Sequence, residues 1–251
     1  MKNKIINLTK KYLIPILFWL SVWELIATLV DHPYFFPHLK DTLIAFKNLV
    51  LSFSTYKIIF ITFMRIAVGI LFGVIIGIAF AVLSHKFDIA RSILSPLVSV
   101  MKITPIAIFY SFLYIKMGRV LPEFVAILMV IPIIWQNLMN GYNSIDKNLS
   151  EVCDAYEVSY FKRFRILTFP ALFKYFIPAL ITSVGIAFKA EISMEILLSA
   201  GESIGKAIFD AKYVSDTASA FAWAIIIGIL GVMTEKLSKF LLRRYENGLN
   251  T

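Results

Sequence analysis

Six separated apolar runs constrain this chain more than anything else in it: Leu13–Val30, Ile58–Leu83, Ile93–Ile115, Leu121–Met139, Ile177–Leu198 and Ala218–Met233. A run of roughly 20 apolar residues is long enough to cross the hydrocarbon core of a bilayer. Lipid offers backbone N–H and C=O groups no partner, so each run is expected as a helix and the whole as an all-α bundle of six transmembrane helices. The composition agrees, since 59% of the 251 residues are hydrophobic, against about 45–50% in soluble domains. The first run has the basic flank of a secretion signal but no small-residue cleavage site after it, and reads as an uncleaved membrane helix. The third carries Lys102 between Pro96 and Pro105 and should be kinked.

The formal charge of +9 would point to nucleic acid in a soluble chain. Here the Lys and Arg residues fall about two to one on the side that holds both termini, the Ser84–Ser92 connection and the Asn140–Phe176 connection. That bias places both termini in the cytoplasm, with the charge facing anionic lipid. Cys153 is the one cysteine, which excludes an intrachain disulfide and a multi-cysteine metal cluster. The outer segment Asp31–Lys57 spaces Leu43, Phe46, Leu49 and Leu51 in a roughly helical pattern suited to the interface.

Within the spans, Gly69, Gly73 and Gly77, followed by Ala81, recur every fourth residue. They clear one helix face for close packing against a neighbour. The fifth span contains Lys189, Glu191 and Glu195. Intramembrane charge is costly and marks function by default. Glu191 and Glu195 share a face one turn apart. Pathway or gating work, pairing with Lys102 or Arg65, and an interfacial place for Glu195 all stay open. The Gly201–Lys206 stretch (GESIGK) lacks the outer positions of a phosphate-binding loop. His32, His38 and His85 lie on opposite expected sides, which disfavours a joint metal site.

The charged stretch Glu151–Pro170 (EVCDAYEVSYFKRFRILTFP) lies between apolar runs on the expected inner side. Leu149–Tyr156 can form a short helix, with Asn148 as cap three residues before Glu151. A basic group of Lys162, Arg163 and Arg165 follows. This stretch resembles the E-A-A-x3-G-x9-I-x-L-P loop of ABC-importer permeases. Glu151, Leu167, Phe169 and Pro170 stand at the motif's spacing, while Glu157 occupies the position of its glycine. Glycine there permits a positive φ, so Glu157 implies either strain or a differently shaped turn.

The later half resembles the nitrate/sulfonate/taurine uptake group of those permeases, through Lys189, Glu195, Ser203-Ile204-Gly205 and Asp216-Thr217. Met101–Phe112 (MKITPIAIFYSF) is similar to that group's basic-x-x-P stretch, with Met117-Gly118 in place of an aromatic-glycine element. The resemblance implies a type I importer bundle with a cytoplasmic coupling helix, working as a homodimer. It implies ABC ATPase subunits below, an extracytoplasmic substrate-binding protein outside, and ATP bound by the partner subunit, with no cofactor on this chain. Glu151, Val152, Cys153, Asp154, Ala155, Glu157, Arg163 and Arg165 would couple to the ATPase. Lys102, Lys189, Glu191 and Glu195 would line the pathway for a sulfonate-, nitrate- or taurine-like molecule or a vitamin precursor. The expected divisions are 1–57, a permease domain at 58–244 with its coupling loop at about 140–176, and a tail at 245–251. The competing reading is an ion-coupled secondary transporter using Glu191 and Glu195. An intramembrane enzyme is disfavoured, because no convergent nucleophile, base or metal ligands stand out.

Overall fold

The computed structural model describes residues 13–105, 113–199 and 201–249, the last nine of them as backbone only. Every regular element among these residues is helical. In chain order they are α1 (Ile14–Val30), α2 (Leu39–Leu51), α3 (Phe53–Lys86), α4 (Asp88–Ile103), α5 (Leu121–Asn143), α6 (Lys147–Ala155), α7 (Tyr160–Arg163), α8 (Phe169–Leu198), α9 (Ile204–Tyr213) and α10 (Thr217–Leu249). Four helical runs, Phe53–Lys86, Leu113–Asn143, Tyr160–Leu198 and Thr217–Phe240, are long and apolar enough to cross a membrane.

The other two expected spans differ from expectation. The first is α1, whose 17 residues extend about 26 Å at 1.5 Å per residue, short of a full crossing without its flanks. The third does not form one described helix. α4 stops at Ile103 because Pro105 pushes the residue before it, Thr104, to an extended ψ of 122°. Of the rest of that span, 106–112 lie outside the described residues, and Leu113–Ile115 belong to the next helical run.

The fifth expected span begins earlier than its apolar run. The helix is continuous from Tyr160 to Leu198, so the second half of the charged stretch is helical rather than a loop. Phe164–Thr168 winds as a π-turn. Pro170 lacks the N–H that the Ile166 carbonyl would have accepted from, and the turn before it widens.

The core is three helices deep: α3 packs on α5, and α5 on α8. The glycine face of α3 makes this possible. A Cβ added at Gly69 would stand 2.6 Å from Ala126 Cβ, at Gly73 2.6 Å from Val130 Cβ, and at Gly77 2.8 Å from Ile134 Cβ. With lipid on the outside, helix contact gains little from the hydrophobic effect, and backbone approach of this kind supplies the packing instead. Around this core, large apolar side chains point outward along α1, α3 and α4, among them Trp19, Leu71 and Ile93.

At the end of the bundle opposite α6, α2 lies against α10. Glu24 Oε2 accepts from the Leu39 amide at 3.1 Å and caps α2. The Trp23 indole donates to the Pro37 carbonyl at 3.0 Å, and the Thr217 hydroxyl to the Tyr34 carbonyl at 2.8 Å. These bonds tie α1, α2 and α10 together at that end.

Candidate functional site

Two assemblies of charged side chains stand out, one inside the bundle and one at its α6 end. The internal one begins with Glu195, fully buried on α8. Thr62 of α3 donates its hydroxyl to both carboxylate oxygens at 3.0 Å. Arg65, one turn on, brings Nη1 to 3.3 Å from Oε1 and Nε to 3.2 Å from Glu123 of α5. The Gly205 amide at the start of α9 donates to Glu195 Oε2 at 3.2 Å, and the Ile204 amide donates to Thr62 Oγ1 at 3.1 Å. Three helices, α3, α8 and α9, therefore meet on one carboxylate, and Arg65 joins α5 to them through Glu123.

The sequence left Lys102 and Arg65 as alternative partners, and the structure selects Arg65. Lys102 instead donates to Gln136 at 3.1 Å. Glu123 and Thr62 were missed. Glu123 sits beyond Pro122 at the very start of an apolar run, where it reads as interfacial. Thr62 is a hydroxyl within an apolar helix and carries no signal of its own. Glu191, one turn from Glu195 and fully buried, has neither carboxylate oxygen hydrogen-bonded, and Glu123 Oε2 is likewise unpartnered. Lys189 is exposed on α8, away from this group. The four pathway candidates thus divide: Glu191 and Glu195 are buried within the chain, while Lys102 and Lys189 are exposed on it.

The second assembly is the platform formed by α6 and α7. The helix starts two residues before the expected Leu149, and its cap is Asp146 rather than Asn148. Asp146 accepts from the Asn148 amide at 2.8 Å, while the Asn148 side chain makes no cap. The carboxylate also suits the positive end of the helix. Glu151, Val152, Asp154 and Ala155 are exposed along α6, whereas Cys153 is buried beneath them and so lies outside the outward surface. Arg163 of α7 reaches back to Asp154, with Nη1 2.5 Å from Oδ1, and its Nη2 bonds the Ser150 hydroxyl. It holds the two short helices in a fixed relation. Arg165 is exposed on the π-turn.

Glu157 resolves the question its sequence position raised. Its φ is +49°, so the turn keeps the shape that glycine favours. The Val158 amide donates to the Cys153 carbonyl at 2.9 Å and the Glu157 amide to the Asp154 carbonyl at 3.1 Å, the bond pair of a Schellman cap. A side chain in that conformation costs about 1 kcal/mol. Glu157→Gly is therefore expected to firm the end of α6, slowing hydrogen exchange at the Val158 amide about fivefold. Unchanged or faster exchange would show that the turn carries no such strain.

The profile of the family described as "Binding-protein-dependent transport system inner membrane component" matches residues 69–247. A protein of Bacillus subtilis (strain 168), SsuC, described as an aliphatic sulfonates transport permease, is 25% identical over 239 residues, covering 90% of this chain and 82% of that protein. The nitrate import permease NrtB of Synechocystis sp. is 26% identical over 186 residues, covering 73% of this chain and 67% of that protein. Among solved structures, the inward facing MetNI methionine ABC transporter aligns with a TM-score of 0.50 over 75% of this chain and 93% of that chain, at 17% identity. That likeness is one of fold.

Proposed function

This chain belongs to the family of binding-protein-dependent transport system inner membrane components, and we propose that it forms the translocation pathway of an ATP-driven importer as one half of a homodimer. It is a multi-pass membrane protein and a transport component rather than an enzyme. ATP is bound and hydrolysed by a separate ATPase subunit, and an external protein delivers the substrate. The charge bias along the sequence supports a cytoplasmic place for both termini and α6.

The observation that carries this reading is α6, nine residues long and largely exposed, clamped between two of the long membrane helices. Its link to α5 is Ser144, Ile145 and Asp146, and the Ser144 amide still donates to the Asn140 carbonyl at 3.0 Å. On the other side Arg163 fastens it to the helical run that continues into α8. A push on Glu151, Val152, Asp154, Ala155 or Glu157 therefore reaches α5 and α8 together. Closure of an ATPase pair would bias the bundle between inward-open and outward-open states, provided nucleotide binds the two unequally.

Lys102 and Lys189 support the dimeric pathway. Both are exposed in the single chain, and Lys102 lies about 21 Å along α4 from Asp88. An ammonium at that depth faces protein or water rather than lipid. A small anion of the sulfonate or nitrate kind, as in the relatives' names, suits two such cations. No observation favours ion-coupled secondary transport, since Glu191 and Glu195 are enclosed within the protomer.

The test is co-purification from the native membrane. The wild-type chain should recover an ATPase subunit. Glu151→Ala with Asp154→Ala should reduce recovery at least tenfold. Val152→Asp alters the same exposed face without touching Arg163, and should reduce it too. Loss with the first variant alone would mean that the platform collapsed rather than that docking was removed. An ATPase absent from every sample, with intact protein, would sink the importer reading.

A further inference from the structure

Behind α6, toward the bundle, lies a cavity of about 710 Å³ that the transport reading does not use. Three cations line it: Lys86 at the end of α3, Lys147 at the start of α6, and Arg163. No carboxylate is among its lining residues. Lys86 Nζ stands 5.5 Å from the centroid of the Phe87 ring, and Lys147 forms no ion pair among the described residues. Arg163 is partly neutralised by Asp154, so the wall carries a net positive charge. Hydroxyl groups of Ser150, Tyr160 and Thr168 are interspersed with the cations.

Apolar side chains line the cavity as well. Val82 and Phe164 line it and are themselves substantially exposed, and a stacked pair, His85 on Tyr142 at 3.8 Å and 7°, closes one side. The cavity sits where the long apolar helices α3 and α5 end, the level at which a spanning helix meets lipid headgroups. Cations and hydroxyls interspersed with apolar side chains match a phosphate group carrying an apolar substituent.

We infer that this cavity is a binding site for a phosphate group, as presented by an anionic phospholipid headgroup or by a free phosphate compound. Lys147, Ser150 and Arg163 belong to the α6 and α7 platform, so occupancy would stiffen it against the end of α3. The assignment rests on the cavity's own chemistry and stands whether or not the transport reading holds.

The experiment is native mass spectrometry of the full complex released from nanodiscs of equal phosphatidylglycerol and phosphatidylcholine. Wild-type protein should retain phosphatidylglycerol selectively. Lys86→Gln with Lys147→Gln should lower that preference about 30-fold, at ~1 kcal/mol for each basic residue near an anionic headgroup. Lys86→Arg with Lys147→Arg should keep it, and Lys212→Gln, at the far end of the bundle, should leave it unchanged. A parallel arm adds inorganic phosphate to protein in phosphatidylcholine alone. Lysine-dependent binding of phosphate there would assign the site to a soluble compound, and its absence, with lipid selectivity intact, to the headgroup. If neither binding responds to the double glutamine variant while the complex stays assembled, the site does not exist.

Discussion

Gly205→Ala is expected to destabilise this protein by an amount few single methyl groups achieve. The added Cβ would lie 2.3 Å from Glu195 Cβ, 2.3 Å from the Ile196 amide nitrogen and 2.4 Å from the Glu195 carbonyl carbon. Two of those atoms are backbone of α8, which cannot swing aside, so α9 must lift. Lifting it stretches the Gly205 and Ile204 amide bonds to Glu195 and Thr62. It also draws Ile204 from its cluster with Trp223 and Ile226. Overpacking costs about 1–3 kcal/mol where side chains can adjust. With backbone on both sides and two buried bonds lost, about 3 kcal/mol or more is expected. In a thermal unfolding series in detergent this is a fall in Tm of roughly 6–12 °C. Gly228→Ala is the control: nothing lies within 4 Å of its Cβ, and a helical glycine replaced by alanine gains about 0.5–1 kcal/mol. Equal Tm values for the two variants would mean that α9 is not seated on α8 as described.

What could be read in advance followed the range of each physical signal. Long apolar runs and the four-residue glycine step are local, so α3, α5, α8 and the small-residue face toward Ala126, Val130 and Ile134 were legible as spans and as a packing stripe. The break at Pro105 is legible as a kink, but how far it interrupts the helix depends on Thr104, whose extended backbone is a consequence of the proline ring. Asp146 and Asn148 are both capping residues, and choosing between them requires the φ and ψ of the turn, which periodicity does not carry. Cys153 is buried on a helix whose other residues are largely exposed, and what covers it is a matter of tertiary docking rather than of the helix itself. The ion network was the least legible. Thr62 and Glu195 are 133 positions apart, and nothing in either helix's own pattern says which turns will come level. Glu157 was recognisable as an anomaly because a family motif put glycine there, and its φ of +49° shows that the surrounding bonds, not the residue, set the turn.

Glu191 and Glu195, one turn apart on α8 and equally buried, are expected to respond to the same substitution with opposite signs. Glu195→Leu removes the acceptor for the Thr62 hydroxyl and the Gly205 amide, and leaves Arg65 with Glu123 as its remaining ion pair among those described. Breaking one side of a buried charge network costs about 3–5 kcal/mol. Glu191→Leu removes a carboxylate whose two oxygens have no hydrogen-bond partner. Burying such a group costs free energy rather than returning it, so the apolar variant should be neutral or more stable by about 1–2 kcal/mol. The pairing itself can be isolated by a double-mutant cycle of Arg65→Gln and Glu195→Gln. Each single variant already removes the Arg65–Glu195 contact, and the Arg65–Glu123 pair is lost wherever Arg65 is replaced. The double should therefore be more stable than the two single losses predict, by about 1–3 kcal/mol. Unfolding midpoints of these six proteins, wild type included, decide the matter. Strict additivity in the cycle would show that Arg65 and Glu195 are neighbours without being partners. A loss on Glu191→Leu as large as on Glu195→Leu would show that Glu191 is partnered in the folded protein, by a group that reaches it from outside the described residues or from a second protomer.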